Sequence, residues 1–436
     1  MKGLKCLAMS TEKVEVLVIG AGQAGLAMSE HLSNCNISHL VLERNRIAER
    51  WRSGRWDSLV ANGPAWHDRF PTMKFSEIAQ DAFAPKESVA DYFEEFAKQI
   101  NAPIRCGVEV KYLEKNVGQS GFRAETSNGI IEAQYVVCAT GPFQKPIIPA
   151  IVPAEAGVMQ LHSYDYRKPS LLPKGGVLVV GAGSSGAQIA AELLRAGRQV
   201  YLSVGMHNRP PRAYRERDYC WWLGVLGKWD LAAPHPGTEH VPIAVSGAQG
   251  GQTVDFRRLA AEGMTLVGRA EKYQNGVMSF ASDLASNIAA GDANYLSVLD
   301  EADAYIAQNG LNLPEEPGAR NLGVDPSCLT NPIEELNLAD AGISSIIWAT
   351  GFGLDYSWLK VCAFDGNGKP KHQRGISTEP GVYFLGLPWL SRRASSFIYG
   401  VWYDARFIAD HIANQRQYKS YRQTSSNEVH KKQLEN

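Results

Sequence analysis

The sequence lacks the features of a membrane-spanning, secreted or nucleic-acid-binding protein. Its 436 residues contain no run of about 18 consecutive apolar residues, and the N-terminus has no apolar core of signal-peptide length. The 44 Lys and Arg residues almost balance the 45 Asp and Glu residues, so no net field attracts nucleic acid or an anionic membrane. We therefore expect a cytoplasmic protein of two or three domains that has neither nucleic acid nor membrane among its partners.

Paired cysteines are also missing. The seven cysteines are scattered and include no Cys-x-x-Cys pair, which favours a reducing compartment and argues against a zinc site and a redox-active disulfide. The histidines have no metal-ligand spacing, and neither a Gly-x-Ser-x-Gly elbow nor a Walker lysine occurs. We assign no metal.

A glycine-rich stretch near the N-terminus carries the clearest signal in the sequence. The apolar residues 14–19 predict a buried strand, and the sequence that follows predicts a helix. Between them, Gly20 permits a sharp turn, Gly22 lets a pyrophosphate approach bare backbone, and Gly25 lets helix and strand pack closely. Together with Gln23 at the start of the helix, whose N-terminus attracts anions, these residues are candidate cofactor contacts.

An acidic residue completes this first motif. A second predicted strand over residues 37–42 ends in Glu43, and an acid about 20 residues after the first glycine suits a bidentate grip on a ribose diol. The context of strand, turn, helix and acid predicts a dinucleotide site. A glycine-rich turn that binds no ligand is the alternative.

The same module occurs a second time. An apolar strand over residues 177–180 precedes a second glycine motif, a predicted helix over 187–195 and a predicted strand over 199–204. The candidate contacts of this copy are Gly181, Gly183, Ser184, Ser185 and Gly186. Because a protein that holds two dinucleotides usually passes a hydride between them, the repeat points to redox chemistry.

The two copies differ at the position that contacts the ribose. Ser203 stands where the first copy has its acid. The arginines that follow it are Arg209, Arg212, Arg215 and Arg217. A 2′-phosphate would be repelled by a carboxylate and held by serine and arginine, so the first copy suits FAD and the second suits NADPH. For the arginines, the alternative is a solvated basic turn.

Several further elements are predicted from periodicity and end signals. Helices are expected over 88–100 with Ser88 as N-cap, over 255–263, and over 283–309. A C-terminal helix over 397–412 would either direct its N-terminus at a flavin ring or serve only in packing.

Beyond single motifs, the sequence resembles the class B flavin-dependent monooxygenases, in particular their soluble bacterial branch, over about residues 14–414. The resemblance is carried by the paired glycine motifs, by Ala-Thr-Gly turns at 139–141 and 349–351, and by residues 162–166. This last segment, His-Ser-Tyr-Asp-Tyr, is similar to the end of the family signature Phe-x-Gly-x-x-x-His-x-x-x-(Phe/Tyr), whose Phe and Gly fall on Ala156 and Val158. Tyr166 stands where the Baeyer–Villiger signature has Trp, which disfavours that sub-family.

The resemblance implies an α/β fold with two Rossmann-like dinucleotide-binding domains, the NADPH domain being inserted into a discontinuous FAD domain. The expected bounds are 12–170 and 330–414 for the FAD domain, 171–329 for the NADPH domain, and 415–436 for a flexible tail. The further FAD contacts that it implies are Trp51, Arg52, Val110, Thr140 and Asp404. Trp51 and Arg52 belong to the counterpart of a Gly-Gly-x-Trp flavin segment.

A candidate catalytic residue comes from the same resemblance. Residues 62–64, Asn-Gly-Pro, are similar to a family segment whose Asn lies beside the flavin where oxygen is activated. The amide of Asn62 can donate and accept hydrogen bonds without titrating. A turn is the alternative, since Asn-Gly-Pro also suits one.

The implied function is that of an FAD-dependent, NADPH-consuming monooxygenase. A flavin C4a-(hydro)peroxide would transfer one oxygen atom of O2 to a small organic substrate by N-, S- or carbonyl oxygenation. Two alternatives stay open: an NAD(P)H-dependent flavoprotein reductase or oxidase, and a nucleotide-binding redox sensor without oxygenation. A homodimer also stays open.

Overall fold

The computed structural model of the protein describes residues 11–116, 118–232 and 242–434. The strands are β1 (Thr11–Ile19), β2 (His39–Glu43), β3 (Ile104–Cys106), β4 (Val110–Lys115), β5 (Phe122–Thr126), β6 (Gly129–Cys138), β7 (Lys145–Pro146), β8 (Met159–His162), β9 (Gly176–Val180), β10 (Val200–Ser203), β11 (Ala213–Tyr214), β12 (Arg217–Asp218), β13 (Thr265–Val267), β14 (Ala270–Gln274), β15 (Val277–Phe280), β16 (Glu335–Asn337), β17 (Ile343–Trp348), β18 (Phe352–Gly353), β19 (Leu359–Lys360), β20 (His372–Gln373), β21 (Ile376–Ser377) and β22 (Val382–Phe384). The helices are α1 (Gln23–Asn34), α2 (Glu49–Arg52), α3 (Lys86–Gln99), α4 (Ser184–Arg195), α5 (Tyr219–Val225), α6 (Ala248–Gly251), α7 (Phe256–Ala261), α8 (Leu284–Asn309), α9 (Ser327–Thr330) and α10 (Ile398–Leu434).

The first sheet is built around β1. Parallel strands run in the order β3-β2-β1-β6-β22, and the antiparallel strands β4 and β5 extend the sheet beyond β6. Val16, Leu17 and Val18 are fully buried, as expected for a parallel strand that is covered on both faces. The predicted strand, turn and helix therefore form the centre of the first domain.

The second sheet repeats this arrangement around β9. Its five strands run in the order β13-β10-β9-β17-β8, and all are parallel. Val177 and Val179 pack with Ile189 of α4, whereas Leu178 and Val180 pack into a separate core on the other face. The predicted α/β fold of two Rossmann-like domains, the second inserted into the first, is confirmed.

The second sheet extends beyond the predicted domain bounds. Its strands β8 and β17 lie at residues 159–162 and 343–348, outside the range 171–329 that the sequence predicts for the NADPH domain. An apolar strand does not show from sequence which of two parallel sheets it joins. The Ala-Thr-Gly turns 139–141 and 349–351, which follow β6 and β17 directly, mark the crossings more closely.

The internal helices follow their predicted patterns. α7 and α8 lie within the predicted spans, and the Asp255 side chain caps α7 by accepting hydrogen bonds from the backbone N–H groups of Arg257 and Arg258. α3 begins at Lys86, immediately after Pro85, so the prediction of Ser88 as its N-cap was wrong. None of the helices in the described part of the chain is long and apolar enough to cross a membrane.

The C-terminal helix is longer than predicted. α10 continues to Leu434, so the backbone over most of the expected tail 415–436 is helical. This stretch contains neither Gly nor Pro, and it keeps contacts with the first domain: Arg416 pairs with Glu15, and the Lys419 ammonium lies 4.3 Å from the centre of the Tyr135 ring. The polar composition of residues 415–434 gave no apolar periodicity from which the helix could be predicted.

Candidate functional site

The first glycine turn, residues 20–25, has the geometry that a pyrophosphate needs. Gly20 has φ of 106°, and an added Cβ there would lie 2.7 Å from the Ala139 carbonyl oxygen. An added Cβ at Gly25 would lie 1.8 Å from the Gly20 carbonyl oxygen, whereas one at Gly22 would meet no atom within 4 Å. Gly20 and Gly25 are thus required by backbone packing, and Gly22 leaves open space at the N-terminus of α1.

Glu43 lies beside this turn at the end of β2. Its Oε2 accepts a hydrogen bond from the Ala21 N–H at 3.0 Å, and its Oε1 accepts one from the Asn45 N–H at 2.8 Å. A carboxylate has about four acceptor positions, so both oxygens can still bind a diol. The Glu43 carbonyl accepts from the Val108 N–H at 3.0 Å, which brings the buried Val110 at the start of β4 close to the same edge.

Thr140 and Asp404 also lie where a flavin cofactor could be held. An added Cβ at Gly20 would lie 3.4 Å from the Thr140 Cα, so Thr140 borders the turn. Asp404 is 3% exposed, and its Oδ1 accepts a hydrogen bond from the Ser391 hydroxyl. Its buried Oδ2 has no partner among the described residues. Because an unpaired buried carboxylate oxygen is costly, this atom fits a bound group that carries hydrogen-bond donors.

The two predicted contacts in α2 behave differently. Trp51 packs against the cores of both domains. Arg52 donates to three carboxylates of α3, namely Glu87 at 3.0 Å, Asp91 at 2.7 Å and Glu94 at 2.8 Å. The guanidinium of Arg52 therefore ties α2 to α3, and its contact with FAD stays a prediction.

The second glycine turn, residues 181–186, has almost the same geometry as the first. Gly181 has φ of 108°, an added Cβ there would lie 2.6 Å from the Ala349 carbonyl oxygen, and one at Gly186 would lie 1.7 Å from the Gly181 carbonyl oxygen. Gly183 precedes the first residue of α4, and Ser184 donates from its hydroxyl to the Ile243 carbonyl at 2.7 Å. Ser185 follows in the first turn of α4, so all five predicted contacts of this copy lie at one helix N-terminus.

The residues expected at the second ribose are buried and paired. The Ser203 hydroxyl donates to the Gly268 carbonyl at 2.9 Å. Arg209 pairs with Asp292 at 2.8 Å and Arg212 pairs with Asp218 at 2.7 Å, and both arginines are 5% exposed or less. The solvated basic turn is therefore excluded for these two arginines, while their role at a 2′-phosphate stays a prediction.

The structure brings the predicted catalytic Asn62 of the first domain against α4 of the second. The Asn62 Oδ1 accepts a hydrogen bond from the Gln188 side-chain amide at 2.9 Å, and the Asn62 carbonyl accepts one from the Arg212 guanidinium. Gln188 also donates to the Val245 carbonyl at 2.8 Å, so both of its N–H groups are used. The Asn62 Nδ2 group has no hydrogen-bond partner among the residues that the structure describes.

Sequence reasoning missed Gln188 and the contact made by Arg212. A signal was present for the first: Gln188 is a polar residue on the buried face of a helix that otherwise packs through alanine, isoleucine and leucine. No sequence signal connects Arg212 with Asn62, because the two residues are 150 positions apart.

The family-like segment 162–166 ties the domains together. Burial lowers the pKa of His162, whose Nε2 lies 3.0 Å from the Gly351 carbonyl and whose Nδ1 accepts from the Tyr164 N–H, as suits a neutral ring. The Tyr166 hydroxyl donates to Glu192 of α4 at 2.7 Å, and the Ser58 hydroxyl donates to the same carboxylate at 2.6 Å. Hydrogen bonds thus join segment 162–166, Ser58 and α4.

Comparison with known proteins agrees with this architecture. A family model described as pyridine nucleotide-disulphide oxidoreductase matches residues 17–223. An uncharacterized CzcO-like oxidoreductase of Geobacillus kaustophilus is 34% identical over 406 residues, which cover 92% of this chain and 99% of the relative. The probable indole-3-pyruvate monooxygenase YUCCA4 of Arabidopsis thaliana is 24% identical over 412 residues, which cover 92% of this chain and 90% of the relative.

Solved structures support the same fold. The flavin-containing monooxygenase from Stenotrophomonas maltophilia superposes with a TM-score of 0.65 at 20% identity, covering 93% of this chain and 99% of that chain. The full-length match to the CzcO-like relative, the paired glycine turns and the inserted second domain together confirm the resemblance found in the sequence. The chain belongs to the family of CzcO-like oxidoreductases, and its fold resembles that of the class B flavin-dependent monooxygenases.

Proposed function

We propose that the protein consumes NADPH and O2 and transfers one oxygen atom to a small organic substrate by N-, S- or carbonyl oxygenation, releasing the other atom as water. The observation that carries this proposal is the hydrogen bond between Gln188 and Asn62. It joins the helix that starts at the second glycine turn to the residue expected beside the flavin. Hydride delivery and oxygen activation would therefore occur at one place between the domains.

The residues divide the binding work between the two nucleotides. The first glycine turn and Glu43 would hold the pyrophosphate and ribose of FAD, and the unpaired Oδ2 of Asp404 would accept a hydrogen bond from the cofactor. The second glycine turn would hold the pyrophosphate of NADPH at the N-terminus of α4. FAD held there would supply the redox chemistry of the reaction, which joins oxidation of NADPH to activation of O2.

Asn62 would stabilise the activated oxygen. Because Gln188 occupies its Oδ1, the Asn62 Nδ2 group is free to donate a hydrogen bond towards the oxygen, and an amide does so without changing its charge with pH. The buried contacts on the α4 side, made by Gln188 and Arg212, would help to exclude water from this region.

A disulfide reductase is the less favoured reading. Burial raises the pKa of the Cys138 thiol and that of the Cys220 thiol, so neither supplies a thiolate. The described cysteines are all unpaired. No second function has an observation of comparable weight.

The deciding experiment measures the fate of electrons and oxygen in the purified holoenzyme. With NADPH and a panel of amines, sulfides and ketones, we expect O2 uptake and one labelled oxygen atom in a product formed under isotopically labelled O2. A reductase or oxidase would return the consumed O2 as H2O2 with every compound, and a redox sensor would not sustain NADPH consumption. Either result would contradict the proposal.

Asn62→Ala is expected to leave reduction of FAD by NADPH nearly unchanged and to raise H2O2 release. One hydrogen bond to a strongly polarised group contributes about 1.5–3 kcal/mol, so the oxygen-activating state should be shortened about ten- to a hundred-fold. The measurement is H2O2 formed per NADPH, together with the rate of anaerobic flavin reduction.

A matched control uses the neighbouring contact with the same helix. Ser58→Ala removes the hydrogen bond to Glu192, one turn further along α4, but leaves Asn62 and Gln188 in place. Ser58→Ala should keep the wild-type ratio of H2O2 released to NADPH consumed. Gln188→Leu should raise this ratio, but less than Asn62→Ala does. If Asn62→Ala instead slows the reduction of FAD by NADPH and keeps NADPH consumption fully coupled to oxygen transfer, Asn62 acts only as a turn residue.

A further inference from the structure

A histidine–aspartate pair follows Asn62 in the same segment. The Asp68 Oδ2 accepts a hydrogen bond from the Gly63 N–H at 2.9 Å, and the Asp68 Oδ1 lies 2.8 Å from the His67 Nδ1. Asp68 thus fixes the backbone next to Asn62 and orients the imidazole. Because a carboxylate oxygen accepts, the hydrogen of this contact lies on Nδ1, and in that tautomer of the imidazole Nε2 is the acceptor nitrogen.

The other ring nitrogen of His67, Nε2, is buried. His67 is 5% exposed, and its buried Nε2 has no hydrogen-bond partner among the described residues. A buried polar atom left without a partner typically costs about 1–3 kcal/mol, so a ligand that supplies a donor would recover this energy. The arrangement indicates a binding function for Nε2.

Aromatic rings from three segments surround His67. Trp229 stacks on its ring with centroids 4.8 Å apart, and the rings of Tyr399 and Trp66 have centroids at 5.1 Å and 5.4 Å. Phe397, which is 40% exposed, packs edge-on against Trp229. We call Trp66, His67, Trp229, Phe397 and Tyr399 the aromatic cluster. Aromatic rings of this kind offer faces and edges on which a flat apolar molecule can pack.

The aromatic cluster lies between the Asn62 segment and the first glycine turn. On one side Asp68 binds the backbone directly after Asn62. On the other side the Gln23 side chain, at the first glycine turn, donates to the Ser396 carbonyl at 2.7 Å, immediately before Phe397. A molecule held in the cluster would therefore lie close to a flavin bound at the first turn.

We propose that the aromatic cluster binds the organic substrate, and that this substrate is an aromatic or heteroaromatic molecule with an N–H, O–H or S–H donor that His67 Nε2 accepts. The assignment rests on the proposed function for its link to oxygenation. The binding itself requires neither NADPH nor O2. The two ideas can therefore fail separately.

The test compares two probes of the same ring system, indole and 1-methylindole, titrated into the oxidised holoenzyme. Only indole has the N–H donor. Binding is followed by the change in flavin absorbance, because the cluster adjoins the flavin site. We expect indole to bind about tenfold more tightly than 1-methylindole.

Two variants assign this preference to His67. His67→Phe keeps a ring that can stack on Trp229 but removes Nε2, so both probes should bind equally; His67→Gln retains an acceptor and should restore part of the preference. As a matched control, His31→Phe changes another buried histidine with an unpartnered Nε2, which packs on Trp402, and should keep the tenfold ratio.

Three results would overturn the proposal. These are equal affinity of the two probes in the unmutated protein, a preference that persists in both His67 variants, and the absence of any indole-induced change in the flavin spectrum. Failure of oxygen transfer in the presence of intact indole selectivity would instead contradict only the proposed function.

Discussion

Gly22→Val is expected to give a folded protein that is colourless because it no longer binds FAD. No atom lies within 4 Å of an added Cβ at Gly22, so the backbone fold leaves room for a side chain to begin there. The methyl groups would instead occupy the space through which a pyrophosphate reaches the N-terminus of α1. A loss of about 1.4 kcal/mol of binding energy weakens the affinity for FAD about tenfold, and we expect at least this loss, with an FAD occupancy clearly below that of wild type. The measurement is flavin absorbance per mole of purified protein.

Two other glycines, one from each glycine turn, provide the controls. Gly25→Val places its Cβ against the Gly20 carbonyl oxygen and should unfold or misfold the protein, whereas Gly183→Val should retain FAD but reduce it poorly with NADPH. Melting temperatures must be compared after removal of FAD, because a bound cofactor itself raises the melting temperature. Stoichiometric FAD in Gly22→Val would refute the assignment of the first turn.

Glu43→Arg should also lose FAD, because it removes the carboxylate beside the same turn.

The features that could be predicted from sequence are those set by local backbone needs. A strand that turns sharply into a helix and passes close to another backbone requires glycine at defined positions, and Gly20 and Gly25 meet this requirement at their predicted places. Helix capping by Asp255 is equally local. Such requirements involve neighbouring residues and can therefore be seen in the sequence itself.

The features that could not be predicted are pairings between distant segments. Asn62 meets Gln188 across 126 positions, and Arg209 meets Asp292 across 83 positions. A charged side chain in a loop looks the same in sequence whether it is solvated or buried in an ion pair. The sequence therefore allowed Arg209 and Arg212 to be placed near a phosphate, and only the fold shows that each has a carboxylate partner.

Asp292→Ala is expected to lower the free energy of unfolding by about 3–5 kcal/mol, as is usual when one partner of a buried ion pair is removed. Asp292 is 6% exposed and binds Arg209 through one oxygen and Arg257 through the other, at 2.8 and 2.7 Å. Arg257 keeps Asp325 as a partner at 2.7 Å, but Arg209 would be left buried without a carboxylate. Denaturant unfolding followed by tryptophan fluorescence measures the loss.

Arg209→Met then separates the structural role of this arginine from the predicted role at the 2′-phosphate. Asp292 retains Arg257 in this variant, so the loss of stability should be smaller than in Asp292→Ala, and methionine can still pack against Tyr295, whose ring centre lies 4.6 Å from the guanidinium carbon. If Arg209 acts only through the ion pair, the KM values for NADPH and NADH should change together. A rise in KM for NADPH alone, by about tenfold or more, would mean that the guanidinium also contacts the phosphate. The structural role would be contradicted if Asp292→Ala left the free energy of unfolding unchanged, because a buried arginine without a counter-charge destabilises the folded state.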